Sequence, residues 1–242
     1  MTLNKNIQVC FSTSQFSKYC NNKTEKIVVV VDILRATSVI STAFEHGIEA
    51  VIPVQSLEEA LQYREIENHI IAAERNTLPI EGFDYGNSPY HYMNSNINGK
   101  ILVLTTTNGT KAIHLAKAHK VITASFLNID SITSFLTNNT SDVIILCSGW
   151  KGRFNLEDSI FAGALAEKLL NTNHFISNCD SLQASIQLYS SANNDLFEYL
   201  KVSAYRKRNG SDEVIKDTHF CLNPQINSDI VPIYIDGKLI RA

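Results

Sequence analysis

Short runs of β-branched residues alternate along the chain with polar loops and with segments whose apolar positions recur every three to four residues. The runs at 26–31 (KIVVVV), 48–54 (IEAVIPV), 69–73 (HIIAA), 101–104 (ILVL), 120–124 (KVITA) and 142–147 (DVIILC) predict strands. They are nearly continuous in apolar residues, the pattern of strands covered on both faces. Helical periodicity runs through 37–46, 56–67, 109–119, 129–137 and 156–170. Ser56 and Glu59 in SLEE predict a capping box at the start of the second of these. Strands alternating with helices imply βαβ units and an α/β fold. The expected architecture is a three-layer α/β/α sandwich on a largely parallel sheet, with a mixed sheet left open.

No Gly/Ser- or Pro-rich linker interrupts the chain, so one domain over 1–242 is expected. Its C-terminal third, from about 193, is less regular and ends in a strand, IVPIYI at 230–235, free to join the sheet in a different way. A weak internal repeat relates Val28–His46 to Ile101–His119 as strand, polar loop, Thr and helix. An offset of 73 places Asp32 on Thr105, Arg35 on Asn108 and Thr37 on Thr110. Identities are few, so the repeat implies similar local architecture.

Composition narrows the function classes. With 44% hydrophobic and 19% charged residues the 242-residue chain has ordinary globular usage. A net charge of −3 gives no basic footprint, so neither nucleic acid nor a membrane is expected as a partner. An anion must instead be met by a local group of Arg, backbone N–H and hydroxyl donors. The five cysteines, Cys10, Cys20, Cys147, Cys179 and Cys221, are scattered, with no C-x-x-C pair. Reduced thiols and a cytoplasmic location are expected, and no signal-peptide pattern opens the sequence.

Ligands of open parallel sheets bind at the carboxyl ends of the strands. Here those ends carry Asp32, Glu74-Arg75, Thr105-Thr106-Thr107 and Ser148, with Arg35 close behind the first. Single polar strand ends are common solvent-facing punctuation; four together point to a site. In TTTNGT, Thr106, Thr107, Asn108, Gly109 and Thr110 offer hydroxyls, a tight turn and a helix N-terminus to an anion, or simply an N-cap. The loop from Glu74 to Pro89 is long enough to be a lid or binding loop. In it Asp84 and Asn87 are metal-ligand candidates or Asx-turn caps. Arg153 precedes a helix whose first turn holds Glu157 and Asp158, acids that suit the dipole or a hard cation with its phosphate. The seven histidines show no H-x-H or H-E-x-x-H spacing, which favours Mg²⁺ over zinc. Cys147 to Arg153 has the C-x5-R spacing of cysteine-dependent phosphatases, but Leu146 precedes the cysteine where those have His.

In order, VDILRAT (31–37), AER (73–75), EGFDYGNSP (81–89), TTNGT (106–110), FLN (126–128) and GRFNLEDSIFAGAL (152–165) resemble the successive motifs of the 2-phosphosulfolactate phosphatases. Weaker echoes follow in DTHFC (217–221) and IVPIY (230–234). The resemblance implies a Mg²⁺-dependent acid phosphatase that converts 2-phospho-3-sulfolactate to 3-sulfolactate in coenzyme M biosynthesis. Carried over by position, it points to Asp32, Arg35, Glu74 and Arg153 as catalytic. It points to Arg75, Asn87 and Thr106–Thr110 as substrate contacts, and to Asp32, Asp84, Glu157 and Asp158 around the metal. Asp32 stays open between ligand, base and nucleophile, although D-I-L lacks the second Asp of a D-x-D signature. The sequence departs from the family pattern at Ala73, at Ser203-Ala204-Tyr205 and at Asn223-Pro224. The expected partner is a small anionic phosphorylated metabolite, with homo-oligomers left open. The rival readings are a Cys147 phosphatase and a non-catalytic anion-binding module.

Overall fold

The computed structural model describes residues 4–20, 24–75, 78–93, 95–223 and 225–242. Among them, the first half of the chain forms β1 (Lys5–Cys10), β2 (Ile27–Val31), α1 (Ala36–Glu45), β3 (Ala50–Pro53), α2 (Leu57–Leu61), β4 (His69–Arg75), β5 (Leu78–Pro79), β6 (Ile101–Thr105) and α3 (Gly109–Ala116). The second half forms β7 (Lys120–Ala124), α4 (Ile129–Thr137), β8 (Val143–Cys147), α5 (Leu156–Asn171), β9 (Phe175–Ile176), α6 (Asp180–Ala192), α7 (Leu196–Tyr199), α8 (Ala204–Arg208), α9 (Asp212–Cys221), β10 (Pro232–Ile235) and β11 (Lys238–Arg241). No helix among the described residues is long and apolar enough to cross a membrane.

The strands form one mixed sheet in the order β5-β4-β6-β3-β11-β10-β7-β2-β8-β1-β9, with helices on both faces, as the α/β pattern predicts. Two parallel blocks, β4-β6-β3 and β7-β2-β8-β1-β9, flank the antiparallel β10–β11 hairpin. β10 and β11 pair antiparallel with β7 and β3 respectively, so the two blocks run in opposite senses. The hairpin turns through Asp236 and Gly237, both at positive φ (48° and 87°), the conformation that makes Asp-Gly a tight-turn pair. The run at 230–235 thus supplies β10, and the residues after the turn supply β11.

The repeat has a physical counterpart. In β2–α1–β3 and β6–α3–β7, each unit sends its second strand across to the first strand of the other. β3 pairs with β6 (Ala50↔Ile101), and β7 pairs with β2 (Ile27↔Lys120).

Alternation along the strands divides the core. Val29 and Val31 join Ile145, Phe161 and Leu165 beneath α4–α6. Val28 and Val30 face the opposite way and join Val39, Ile40 and Ile113 of α1 and α3, together with Leu102, Leu104 and Ile70 from the other block. Both blocks therefore close around α1 and α3. Each fully buried Ile or Leu contributes roughly 1.5–3 kcal/mol of transfer free energy to holding them there. The carboxyl ends of β2 and β6 meet in one place despite their opposite senses, as the close approach of Asp32 and Gly109 shows.

Several boundaries differ from expectation. The predicted helix at 56–67 ends at Leu61 and continues as turns with i→i−3 bonds such as Arg64 N–H to Leu61 O (3.2 Å), because only Ala60 of it is buried. Its N-terminus is capped as predicted, Glu59 N–H donating to Ser56 Oγ (3.1 Å). The Glu59 carboxylate accepts from Gln55 N–H (2.9 Å), one residue earlier than the usual box. Strand β1 and helix α6 were not anticipated by the periodicity.

Candidate active site

Four strand ends and the N-termini of α1, α3 and α5 converge on a cleft lined among others by Asp32, Arg35, Glu74, Asn87, Asn108 and Glu157. Asp32, at the end of β2, is its centre. The Asp32 carboxylate accepts the backbone N–H groups of Ala36 and Gly109, the first residues of α1 and α3. Two helix N-termini, each presenting N–H donors and a positive dipole end, therefore meet on one carboxylate. Thr37 Oγ1 accepts from the Asp32 N–H (3.2 Å) and fixes the backbone that carries it. Gly109 is required by this approach: a Cβ there would lie 2.7 Å from the Ala36 Cβ and 2.9 Å from Asp32 Oδ2.

The acids of this cluster resist ionisation together. Removal from water, then the charges of Glu74 and Glu157, push Asp32 up to about 7. Burial raises Glu157 as well, against the pull of the Arg208 charge and a hydrogen bond from Asn155. Asp158 is driven well above the carboxylate range by burial first, then by Asp32 and Glu157. Its carboxylate works behind the cleft as a staple. It accepts from Ile33 N–H (3.0 Å), Gly149 N–H (3.2 Å) and Asn155 Nδ2 (2.8 Å), tying the β2 end to the β8 loop and α5.

The remaining candidates divide by position. Arg35 is buried, lines the cleft and is ion-paired to Asp217 of α9, whose second oxygen accepts from Ser88 Oγ (2.7 Å). Asn108 also lines the cleft, and its Oδ1 accepts from Lys151 N–H (3.2 Å). Thr106 and Thr110 bond one another: Thr110 N–H donates to Thr106 Oγ1 (3.3 Å), and Thr110 Oγ1 donates to Thr106 O (3.2 Å). The Thr107 hydroxyl has no hydrogen-bond partner among the described residues. Arg75 turns back on its own strand end, donating to Glu74 O (2.7 Å) and Thr105 Oγ1 (3.1 Å). Exposed Asp84 accepts from Ile71 N–H (2.8 Å), holding the loop against β4, and does not line the cleft. Arg153 is exposed on the wall of an adjoining basin. Cys147 is fully buried, and burial followed by the Asp158 charge pushes its thiol well above the usual range, which removes the thiolate a cysteine route needs.

Asp217, Tyr205 and Trp150 were not named by sequence reasoning. Asp217 lay in the DTHFC echo and Trp150 inside the C-x5-R segment, while Tyr205 sits where the sequence departs from the family pattern.

The donor set suits a hard divalent cation. Asp32, Glu74 and Glu157 all line the cleft, the charges of the last two bear on Asp32, a repulsion that a cation relieves, and the buried Asn87 Oδ1 beside them has no partner among the described residues. Among the described residues no three acids, histidines or cysteines are already gathered at coordinating positions. A small hard ion needs only one or two carboxylates, the rest of its shell coming from phosphate oxygens and water.

A family model for 2-phosphosulpholactate phosphatase matches residues 13–237. A probable 2-phosphosulfolactate phosphatase of Caldanaerobacter subterraneus subsp. tengcongensis is 39% identical over 217 residues, covering 88% of this chain and 89% of its own. Namesakes from Thermotoga petrophila (38%, 91% of this chain and 94% of theirs) and Clostridium beijerinckii (35%, 88% and 91%) align over the same extent. A match across nearly the whole length, enclosing every strand end that builds the cleft, places this chain in the 2-phosphosulfolactate phosphatase family.

Proposed function

We propose that the protein is a Mg²⁺-dependent phosphatase that hydrolyses 2-phospho-3-sulfolactate to 3-sulfolactate and inorganic phosphate. One observation carries the reading: a cleft acid held at about 7 lies beside two further carboxylates and a buried, fixed arginine, in a chain of this family. An anion-binding module gains nothing from three acids near its ligand, whereas a phosphoryl-transfer site uses them.

Glu74 and Glu157 are the residues we assign to the cation, with Asn87 Oδ1 as a neutral oxygen donor. When bound, Mg²⁺ supplies Lewis-acid stabilisation of charge on the phosphoryl oxygens. Arg35, held by Asp217, presents N–H donors to the same oxygens without leaving its place. Asp32 moves the proton. Its carboxylate takes one from the attacking water as the new P–O bond forms, and returns it to the C2 oxygen as the old P–O bond breaks. A pKa near 7 suits both halves of that transfer at neutral pH.

Phosphate release from 2-phospho-3-sulfolactate by the purified protein tests this. Turnover that requires Mg²⁺, stops with EDTA and survives thiol alkylation is expected. EDTA-resistant, alkylation-sensitive turnover would transfer the chemistry to Cys147, and no release with any divalent cation would end the reading.

A further inference from the structure

The cleft does not end at the reaction centre. Trp150, Asn155, Glu157 and Tyr205 form a shared wall, and beyond it opens a second basin that also takes in Arg153 and Arg208. The two basins differ in charge. The inner one holds three acids and one arginine already paired with Asp217. The outer one holds two arginines, neither of which has an ion pair within 4 Å among the described residues, and one acid, Glu157, on the shared wall.

Arg208 is held for recognition. Its guanidinium carbon lies over the Trp150 ring, 4.3 Å from the centroid. A cation–π contact of this kind uses the charge without consuming the N–H donors, which remain able to grip an oxyanion. Between the basins stands Tyr205, only 4% exposed, whose hydroxyl has no partner among the described residues. A buried O–H without a partner costs about 1–3 kcal/mol, so a ligand oxygen is its natural complement.

We propose that Arg208, Arg153 and Tyr205 form a second anion subsite that binds the sulfonate of the substrate while its phosphate occupies the inner cleft. The assignment rests on the phosphatase reading above and supplies its specificity. The sulfonate hangs from C3, one carbon farther from the phosphate-bearing C2 than the carboxylate does, so it is the arm that reaches the outer basin. It stays monoanionic throughout the working range and offers three acceptor oxygens to two guanidinium edges and a hydroxyl. Substrate orientation then follows from a charge difference: cation-seeking phosphate toward the acids, sulfonate toward the arginines.

The test compares kcat/KM for 2-phospho-3-sulfolactate with that for 2-phospholactate, in which a methyl group replaces the sulfonate arm. The wild-type preference for the sulfonated ester is expected to shrink tenfold to a hundredfold in Arg208→Met, about the loss of one charge-assisted hydrogen bond. Arg208→Lys is expected to restore part of it, and Arg153→Met and Tyr205→Phe to erode it less. An unchanged preference in Arg208→Met and Arg153→Met, with circular dichroism intact, overturns the subsite. If wild-type protein hydrolyses neither ester, the phosphatase reading fails and calorimetric binding of 3-sulfolactate decides the subsite instead. Affinity weakened tenfold or more by Arg208→Met keeps it, and equal affinity ends it.

Discussion

The β2–α1 and β6–α3 units share a scaffold and differ in charge. At the offset of 73, Ala36 is the counterpart of Gly109, and both donate their N–H to the same carboxylate. That carboxylate belongs to Asp32, whose counterpart is the uncharged Thr105. Each unit thus brings a helix N-terminus to the centre, but only one brings the acid. The anion site that a strand–turn–helix such as TTTNGT advertises is occupied by a group of the protein itself. In this molecule the N–H groups of the two helix N-termini donate to an acid of the cleft itself. They pull its pKa down, while burial and two neighbouring acids pull it up further.

The largest effect should come from breaking that asymmetry at its source. Asp32→Asn keeps the shape and removes the proton carrier, so kcat should fall by about 10²–10⁴, the usual worth of general acid–base catalysis. Stability should move the other way. In wild-type protein the folded Asp32 pKa, about 7, exceeds the ordinary aspartate value of 3.8. The folded state therefore binds more protons in that window, and the stability contribution of this group is lost as pH rises from about 4 to 7. Metal-free Asp32→Asn protein should have a higher Tm than wild type at pH 8, with the gap closing toward pH 4. A constant or reversed gap would show that Asp32 ionises normally.

Gly109→Ala tests the meeting of the helices. The added Cβ would press on Ala36 and Asp32 together, so overpacking of about 1–3 kcal/mol and a fall of at least tenfold in kcat are expected. The mirror substitution Ala36→Gly removes a contact instead of forcing one. It should cost at most about 1 kcal/mol and leave kcat within a few fold. Thermal melts and steady-state rates on the pair would expose any symmetry between the units; equal losses would contradict the unequal packing.

Asp217→Asn probes the cleft from outside the repeat. The Arg35–Asp217 pair is fully enclosed, and uncoupling such a pair typically costs about 3–5 kcal/mol. With Arg35 no longer held, KM should rise about tenfold and kcat should fall less, because Asp217 positions Arg35 and does not touch the ester. If kcat falls as far as in Asp32→Asn with KM unchanged, Asp217 takes part in the chemistry directly.

These residues also show what was legible in the sequence. Asp32, Glu74 and Glu157 were marked because acids following apolar runs, or opening an amphipathic helix, stand at strand ends, and parallel sheets use those ends. Helices α4 and α5 match their predicted spans to within a residue because their buried faces repeat at helical spacing. The Arg35–Asp217 pair spans 182 residues and has no local signature. β1 interleaves Asn6 and Gln8 with Ile7 and Val9, an alternation that signals a strand, but it lacks the nearly continuous apolar run by which the other strands were read, although β8 and β9 enclose it. The terminal strand at 230–235 was legible, but the Asp236-Gly237 hairpin and its place between two opposed blocks depend on pairings that only the fold reveals. Asp84 clamps its loop to β4 and Arg153 lines the outer basin, and nothing in the local sequence distinguishes either place from the inner cleft.

The smallest effects should come from the two threonines that occupy equivalent positions and hold different amounts of structure. Thr37 Oγ1 accepts one N–H, that of Asp32. Thr110 Oγ1 accepts from Thr106 N–H (3.4 Å) and donates to Thr106 O, so its loss leaves two buried backbone groups short of a partner. Replacement by Val keeps the shape in both. Thr110→Val should cost about 1–3 kcal/mol and Thr37→Val about 1 kcal/mol, on the measured worth of buried hydrogen bonds. Activity should rank in the opposite order. Thr37 steadies the residue that moves the proton, so Thr37→Val should lower kcat several fold, while Thr110→Val, whose hydroxyl bonds only within its own turn, should lower it about twofold or less. Urea melts and kcat on both variants decide the matter. If Thr110→Val proves the slower enzyme, the β6–α3 turn contributes to turnover through more than its Gly109 N–H, and the division of labour between the two units would have to be redrawn.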